Sequence, residues 1–105
     1  MKLYLVVRHD LTPGARAAQL CHAMRQFADE HPRVERAWFE ASNTLVLLEV
    51  DDEPALAALA SDASSRGVDV ARFHEPDLGH ALTAIALGPT ARSLVRRLPL
   101  ALRPR

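Results

Sequence analysis

Apolar runs of strand length alternate along the chain with stretches whose apolar residues recur at helical spacing. Leu3 to Arg8, LYLVVR, is rich in β-branched and aromatic residues and reads as a buried strand. Thr12-Pro13 then marks a helix start: threonine can cap free amides, and proline fits the first helical position because its missing N–H has no partner to lose there. From there Ala17, Leu20, Cys21, Met24, Phe27 and Ala28 recur at the helical period and predict one buried stripe. Successive helical residues advance by about 100°, which puts Ala15, Gln19, His22 and Gln26 in an opposite, polar stripe with Arg16 at its margin. Pro32 disfavours helical geometry at His31 and ends the helix.

The next segment, VERAWFE (Val34 to Glu40), reads as a strand or irregular edge segment that turns at Ala41-Ser42-Asn43 into a central strand, TLVLLEV. A second helix is predicted from Asp51 to Arg66. Asp52 is its cap, Pro54 lies in its first turn, Leu56, Leu59, Ala60 and Ala63 share one face, and Gly67 stops it. VDVARFH and ALTAIAL are the following strands, the latter apolar enough to lie inside the sheet. A short helical segment from Thr90 leads into LPLALRPR, whose prolines predict an extended, frayed tail from residue 98. This alternation predicts a small α/β sandwich with a mixed sheet, in one domain over residues 1–105. Two main helices and a tail are thin cover for both sheet faces, which leaves room for a partner.

Composition adds few constraints. A chain of 105 residues, 49% hydrophobic and 25% charged, can bury a core without staples and is unlike a disordered or collagenous one. With 13 basic and 13 acidic residues there is no overall basic signal for nucleic acid or an anionic membrane. The charge is uneven, however: Arg92, Arg96, Arg97, Arg103 and Arg105 crowd the last segment, and Glu49, Asp51, Asp52 and Glu53 form an acidic knot. Every basic residue but Lys2 is arginine, which suits bidentate phosphate contacts but also follows from GC-rich coding. Cys21 is the single cysteine and is expected on the apolar side of the first helix, so neither an intrachain disulfide nor a cysteine-rich zinc site can form. No apolar stretch is long enough to span a bilayer and MKLYLVVRHD is not a secretory leader, so the expected location is cytoplasmic, with no membrane partner.

Two places carry candidate chemistry. The polar stripe of the first helix begins where backbone N–H groups lack helical partners, just past the carboxyl end of a strand, and such a place binds anions. A solvated face of any amphipathic helix has the same appearance. The second place is HEPDLGHALT, His74 to Thr83, a loop between strands. There Glu75 and Asp77 can position or deprotonate a water, and Thr83 can orient the carboxylate or the substrate. As a plain turn, its acids would cap backbone amides. The 5 histidines show no metal-binding spacing, and Gly14, Gly67, Gly79 and Gly88 form no phosphate-loop fingerprint.

Taken in order, LVVRHDL, AAQLCHA, an acidic loop and LTAIALGP, from Leu3 to about Val95, resemble the type 2 peptidyl-tRNA hydrolase family. The most specific block is Ala17-Ala18-Gln19 with His22-Ala23, and Gly88-Pro89 after the last strand supports it. The resemblance implies a compact three-layer α/β sandwich with a four-stranded mixed sheet flanked by helices, commonly a homodimer. It also implies water-driven hydrolysis of the ester between a peptide, or an N-blocked amino acid, and tRNA, without a metal or organic cofactor. Carried onto this sequence, it puts Asp77, Thr83 and Arg16 at the scissile ester. Arg8, Gln19, His22, Glu75 and Gly79 would hold the acceptor end of tRNA or another acylated nucleotide.

The sequence departs from the family pattern at the site. The glycine-lysine stretch usual before AAQ is shortened to PGARAAQ, with Ala15 or Arg16 in the lysine's region. Arginine can keep a phosphate contact, but it stays charged and cannot serve as an acid or base. The aspartate-x-glycine part of the family's D-x-G-x-T loop survives as Asp77 and Gly79, while Thr83 matches the later threonine that opens the last strand. The alternative is therefore a non-catalytic tRNA-binding or nucleotide-binding module, or a dimeric interaction module, of the same fold.

Overall fold

The N-terminal apolar run becomes the strand on which the rest is assembled. In the computed structural model, which describes residues 1–104, β1 (Lys2–Arg8) lies inside the sheet. It pairs in parallel with β2 (Thr44–Val50) and antiparallel with β4 (Ala81–Leu87), and β3 (Val70–Glu75) pairs antiparallel with β4. The sheet is mixed and four-stranded, in the order β2-β1-β4-β3. The helices are α1 (Pro13–Glu30), α2 (Pro32–Ala41), α3 (Glu53–Ser65) and the short α4 (Arg92–Val95).

Period-2 alternation along β1 sorts the core into two layers. Leu3, Leu5 and Val7 pack with Leu20, Ala23 and Phe27 of α1, Trp38 of α2, and Ala84 and Ala86 of β4. Tyr4 and Val6 face the other way, onto Leu56, Ala60 and Ala63 of α3, Ile85 and Leu87 of β4, and Val95 of α4. The result is a three-layer α/β sandwich. Each fully buried large apolar side chain contributes about 1.5–3 kcal/mol.

Three expectations are corrected. VERAWFE is helix α2, not a strand: Pro32 sits in its first turn, and Val34 and Trp38, one helical turn apart, lie against the α1-side core. Trp38 is buried and its Nε1–H donates to the Thr44 carbonyl at 2.7 Å. A run this short fits either period, and packing decides between them. Next, β2 is an edge strand and not a central one, with Leu45 exposed. Its outer side meets the C-terminal segment, which is extended and also tied down at residues 99–101. There the Glu49 amide donates to the Pro99 carbonyl at 3.1 Å and the Ala101 amide donates to the Leu47 carbonyl at 2.8 Å. Arg105 lies outside the described residues.

The last correction concerns how α1 is turned. Its buried residues are Arg16, Gln19, Leu20, Ala23 and Phe27, while Ala17 and Cys21 are exposed. The helix lies with Arg16 and Gln19 against the sheet, so the stripe read as its solvated side is partly its buried one. The N-terminus is fixed as expected, with the Thr12 hydroxyl accepting from the Ala15 amide at 3.4 Å and Pro13 opening the helix.

Candidate functional site

At the end of the sheet where β1, β2 and β3 finish and β4 begins, polar side chains replace apolar ones beneath α1. Each strand supplies one: Glu49 from β2, His9 just beyond β1, Thr83 from β4 and Glu75 from the end of β3. The His9 amide donates to the Val50 carbonyl at 2.8 Å, which extends the β1–β2 pairing by a residue and leaves His9 on the same face as Val7. Thr83 owes its place to a bulge. Phe73 faces Ala84 while His74 faces Leu82, so Thr83 is the extra residue of β4 and turns toward α1 beside Ala84.

Arg16 and Gln19, one helical turn apart, roof this row and divide it into two networks. On the β2 side, Arg16 Nη1 donates to Glu49 Oε2 at 3.1 Å, and His9 Nδ1 stands 3.1 Å from Glu49 Oε1 and 3.2 Å from Arg16 Nη1. Glu49 is only 1% exposed and Arg16 8%. Arg16 Nε is buried without a hydrogen-bond partner among the described residues. On the β3 side, the buried Thr83 hydroxyl donates to Gln19 Oε1 at 2.6 Å, and Gln19 Nε2 donates to Glu75 Oε1 at 2.9 Å. Glu75 Oε2 accepts from the Asp77 amide at 3.4 Å. The Gln19 bond holds the Glu75 carboxyl below its usual range, helped by the Asp77 amide and by His22 and opposed by desolvation. The relay thus ends in an ionised carboxylate at the rim.

Asp77 is exposed on a single turn of 3-10 helix, Pro76–Leu78. That turn closes at Gly79, which has φ +64, a left-handed conformation that glycine adopts without strain. His22 is exposed and stacks on Phe73 of β3, with ring centroids 4.6 Å apart. Arg8 is not part of the row beneath α1. It alternates with Val7 onto the α3 side, where its Nε and Nη2 bind both oxygens of Asp10 at 2.9 and 3.0 Å. Its Nη1 donates to the Leu82 carbonyl at 3.2 Å, while Glu53 Oε2 accepts from the Leu82 amide at 2.7 Å. This paired hydrogen bond raises the Arg8 pKa and lowers that of Asp10. Arg8 therefore braces the β1–α1 loop and the start of β4.

The site thus brings together Arg16, Gln19, Glu75 and Thr83, with Asp77, Gly79 and His22 around the β3 end. Sequence reasoning missed His9 and Glu49. Glu49 had a signal: it is the one acid inside TLVLLEV and shares alternation with Leu47, which faces α1. His9 had a weaker one, standing directly after the carboxyl end of a buried strand.

A mixed sheet covered on both faces defines an α/β protein, and the polar groups gathered where β1, β2 and β3 end and β4 begins, under the N-terminal part of α1, make that end its candidate site. The family model described as Peptidyl-tRNA hydrolase PTH2 matches residues 1–103, and the chain belongs to that family. It is also similar to a peptidyl-tRNA hydrolase of Thermococcus onnurineus (strain NA1), at 28% identity over 104 residues, covering 90% of this chain and 88% of that one. Among the described residues, no helix is long and apolar enough to cross a membrane.

Proposed function

We propose that this protein hydrolyses the ester between a peptide, or an N-blocked amino acid, and tRNA by attack of water at the polar end of the sheet. The observation that carries this reading is the unbroken relay Thr83–Gln19–Glu75, which ends beside Asp77 at the rim. The Asp77 carboxylate faces the scissile ester. Thr83 acts through Gln19 to hold Glu75 in one orientation, where its ionised oxygens accept hydrogen bonds from the hydroxyls of the acceptor end. Arg16 supplies fixed positive charge next to the reacting ester. His22, backed by Phe73, offers an exposed ring on which an unpaired base can stack. Gly79 lets the loop turn tightly beside the ester, and Arg8 keeps the opposite side of the site rigid.

The reading includes a cytoplasmic homodimer. The exposed Leu45 and Leu100, on β2 and the segment alongside it, support a second copy there.

Release of peptide from an N-blocked aminoacyl-tRNA tests the reading, with Asp77→Asn measured beside the parent protein. Turnover by the parent that is lost in a folded Asp77→Asn protein is the expected result. No turnover, with tRNA binding that weakens as salt is raised, would instead mean a binding module.

A further inference from the structure

The relay explains how substrate is held, but its members and Arg16 make poor proton acceptors. Arg16 stays charged, the Thr83 hydroxyl is buried and donates to Gln19, and Glu75 is held ionised with a lowered pKa. The β2 side of the same row contains a second arrangement. His9 is partly exposed, with 34% of its side chain open to solvent, and its Nδ1 lies 3.1 Å from a carboxylate that is 1% exposed. We propose that His9 and Glu49 form a catalytic dyad in which Glu49 positions the imidazole and His9 Nε2 takes the proton from the attacking water.

Two groups compete for Nδ1, the Glu49 carboxylate and the Arg16 guanidinium. Without a proton, the Nδ1 lone pair would face the oxygen of Glu49 at 3.1 Å and be repelled by it. With one, the contact becomes a charge-assisted hydrogen bond, the stronger kind. Arg16 Nη1, which can only donate, lies 3.2 Å from Nδ1 and has a second hydrogen besides the one given to Glu49 Oε2, so in the opposite tautomer, with the proton on Nε2, it would donate to Nδ1. The dyad requires the tautomer that the carboxylate favours, Nδ1–H with the lone pair left on Nε2. A buried carboxylate that fixes a histidine in this way is how hydrolases orient a general base. The groups around His9 are Glu49 from β2, Arg16 from α1 and Asp10 from its own loop.

The step balances with water as the only co-reactant. Nε2 accepts a proton as the water oxygen bonds to the acyl carbon. The tetrahedral adduct then expels the ribose oxygen, which takes the proton back from Nε2–H. The products are a free peptide carboxyl group and a tRNA hydroxyl, and neutral His9 is regenerated.

This inference rests on the hydrolase reading, so its test has an arm that needs no turnover. In the full-length protein, 15N-resolved imidazole spectra assigned with His9→Asn should show Nδ1–H and a bare Nε2 for His9. An Nε2–H tautomer would overturn the dyad. Asparagine keeps an amide donor for Glu49 but has no base, so His9→Asn should lower kcat on N-blocked aminoacyl-tRNA by about 10²–10⁴-fold with KM little changed. Free imidazole should restore part of the rate lost in His9→Ala, a rescue that a purely structural role would not give. Parental kcat in folded His9→Asn would overturn the proposal while leaving the hydrolase reading intact. A parent protein inert on acylated tRNA but cleaving p-nitrophenyl acetate in a His9-dependent way would uphold the dyad and overturn the tRNA substrate. Inertness on both would remove both.

Discussion

The sheet face beneath α1 is buried along its length, but its two ends are made of different chemistry. At one end Leu3, Leu5, Ala86, Phe27 and Trp38 interdigitate as an ordinary core. At the other, Glu49, Thr83, Arg16 and Gln19 are as deeply buried, and hydrogen bonds join them. The apolar end gains free energy from burial alone. The polar end must first offset the desolvation of a carboxylate, a guanidinium, an amide and a hydroxyl, and it does so only while its partners stay in place. A buried ion pair is often no more stabilising than apolar residues of the same shape. Stability therefore does not explain why this end is polar, whereas a site that needs fixed charge and fixed donors does.

Truncation at either end should give a large effect on stability. Phe27 is fully buried, so Phe27→Ala is expected to cost about 3–5 kcal/mol, read from urea unfolding, because the cavity adds to the lost transfer energy. At the polar end, Arg16→Leu alone strips the guanidinium from a carboxylate that is 1% exposed, and a loss of about 3–5 kcal/mol is expected for breaking such a pair. Replacing both partners separates the two ends more sharply. Arg16→Leu with Glu49→Leu should recover most or all of that loss in the same unfolding assay, yet release no peptide from acylated tRNA. A double variant as unstable as Arg16→Leu would mean that the pair holds the fold together, and the contrast drawn above would fail.

This contrast also marks where the sequence was legible. The strands were readable because β1 and β4 carry apolar runs that the sheet buries and β3 is short and rich in strand formers, and Thr12-Pro13 and Asp52 cap helices as their side chains predict. The rotation of α1 was not. Hydropathy assigned Ala17 and Cys21 to the core and Gln19 to solvent, but the helix buries Arg16 and Gln19 because the carboxylates and hydroxyl that satisfy them come from β2, β3 and β4. Those partners stand 33 to 64 residues away, and no local pattern reveals them. The direction of Thr83 was hidden for a related reason, since it depends on a bulge that only the register with β3 defines. The turn that carries Asp77 between Glu75 and Gly79 was legible because Pro76 and Gly79 mark it in the composition alone.

A smaller effect separates the two networks of the polar end. Thr83→Val removes the donor that reaches Gln19 Oε1 and keeps the shape of the side chain. It should cost about 1–3 kcal/mol, because a buried amide oxygen loses its partner. The Arg16–Glu49 pair is not touched, so the His9 tautomer should remain as in the parent while turnover falls. A change in the His9 imidazole spectrum of Thr83→Val would show that the two networks are one.

The smallest expected effect lies at the rim and is a titration. The Gln19 bond lowers the Glu75 pKa from its ordinary value of 4.5, and the Arg8 bond lowers that of Asp10 on the other face of the sheet. A carboxyl whose pKa is lower folded than unfolded binds fewer protons in the native state at mildly acidic pH. Its contribution to stability is therefore complete above the ordinary carboxyl range and is lost as pH falls through the lowered value. Gln19→Leu removes the principal cause at Glu75 alone. In a side-chain 13C titration, Glu75 should return toward its ordinary range while Asp10 stays low, and the acid limb of the stability curve should become shallower. If Glu75 kept its low pKa without Gln19, the Asp77 amide and His22 would be enough to hold it ionised. The relay from Thr83 would then fix the direction of the carboxylate without setting its charge.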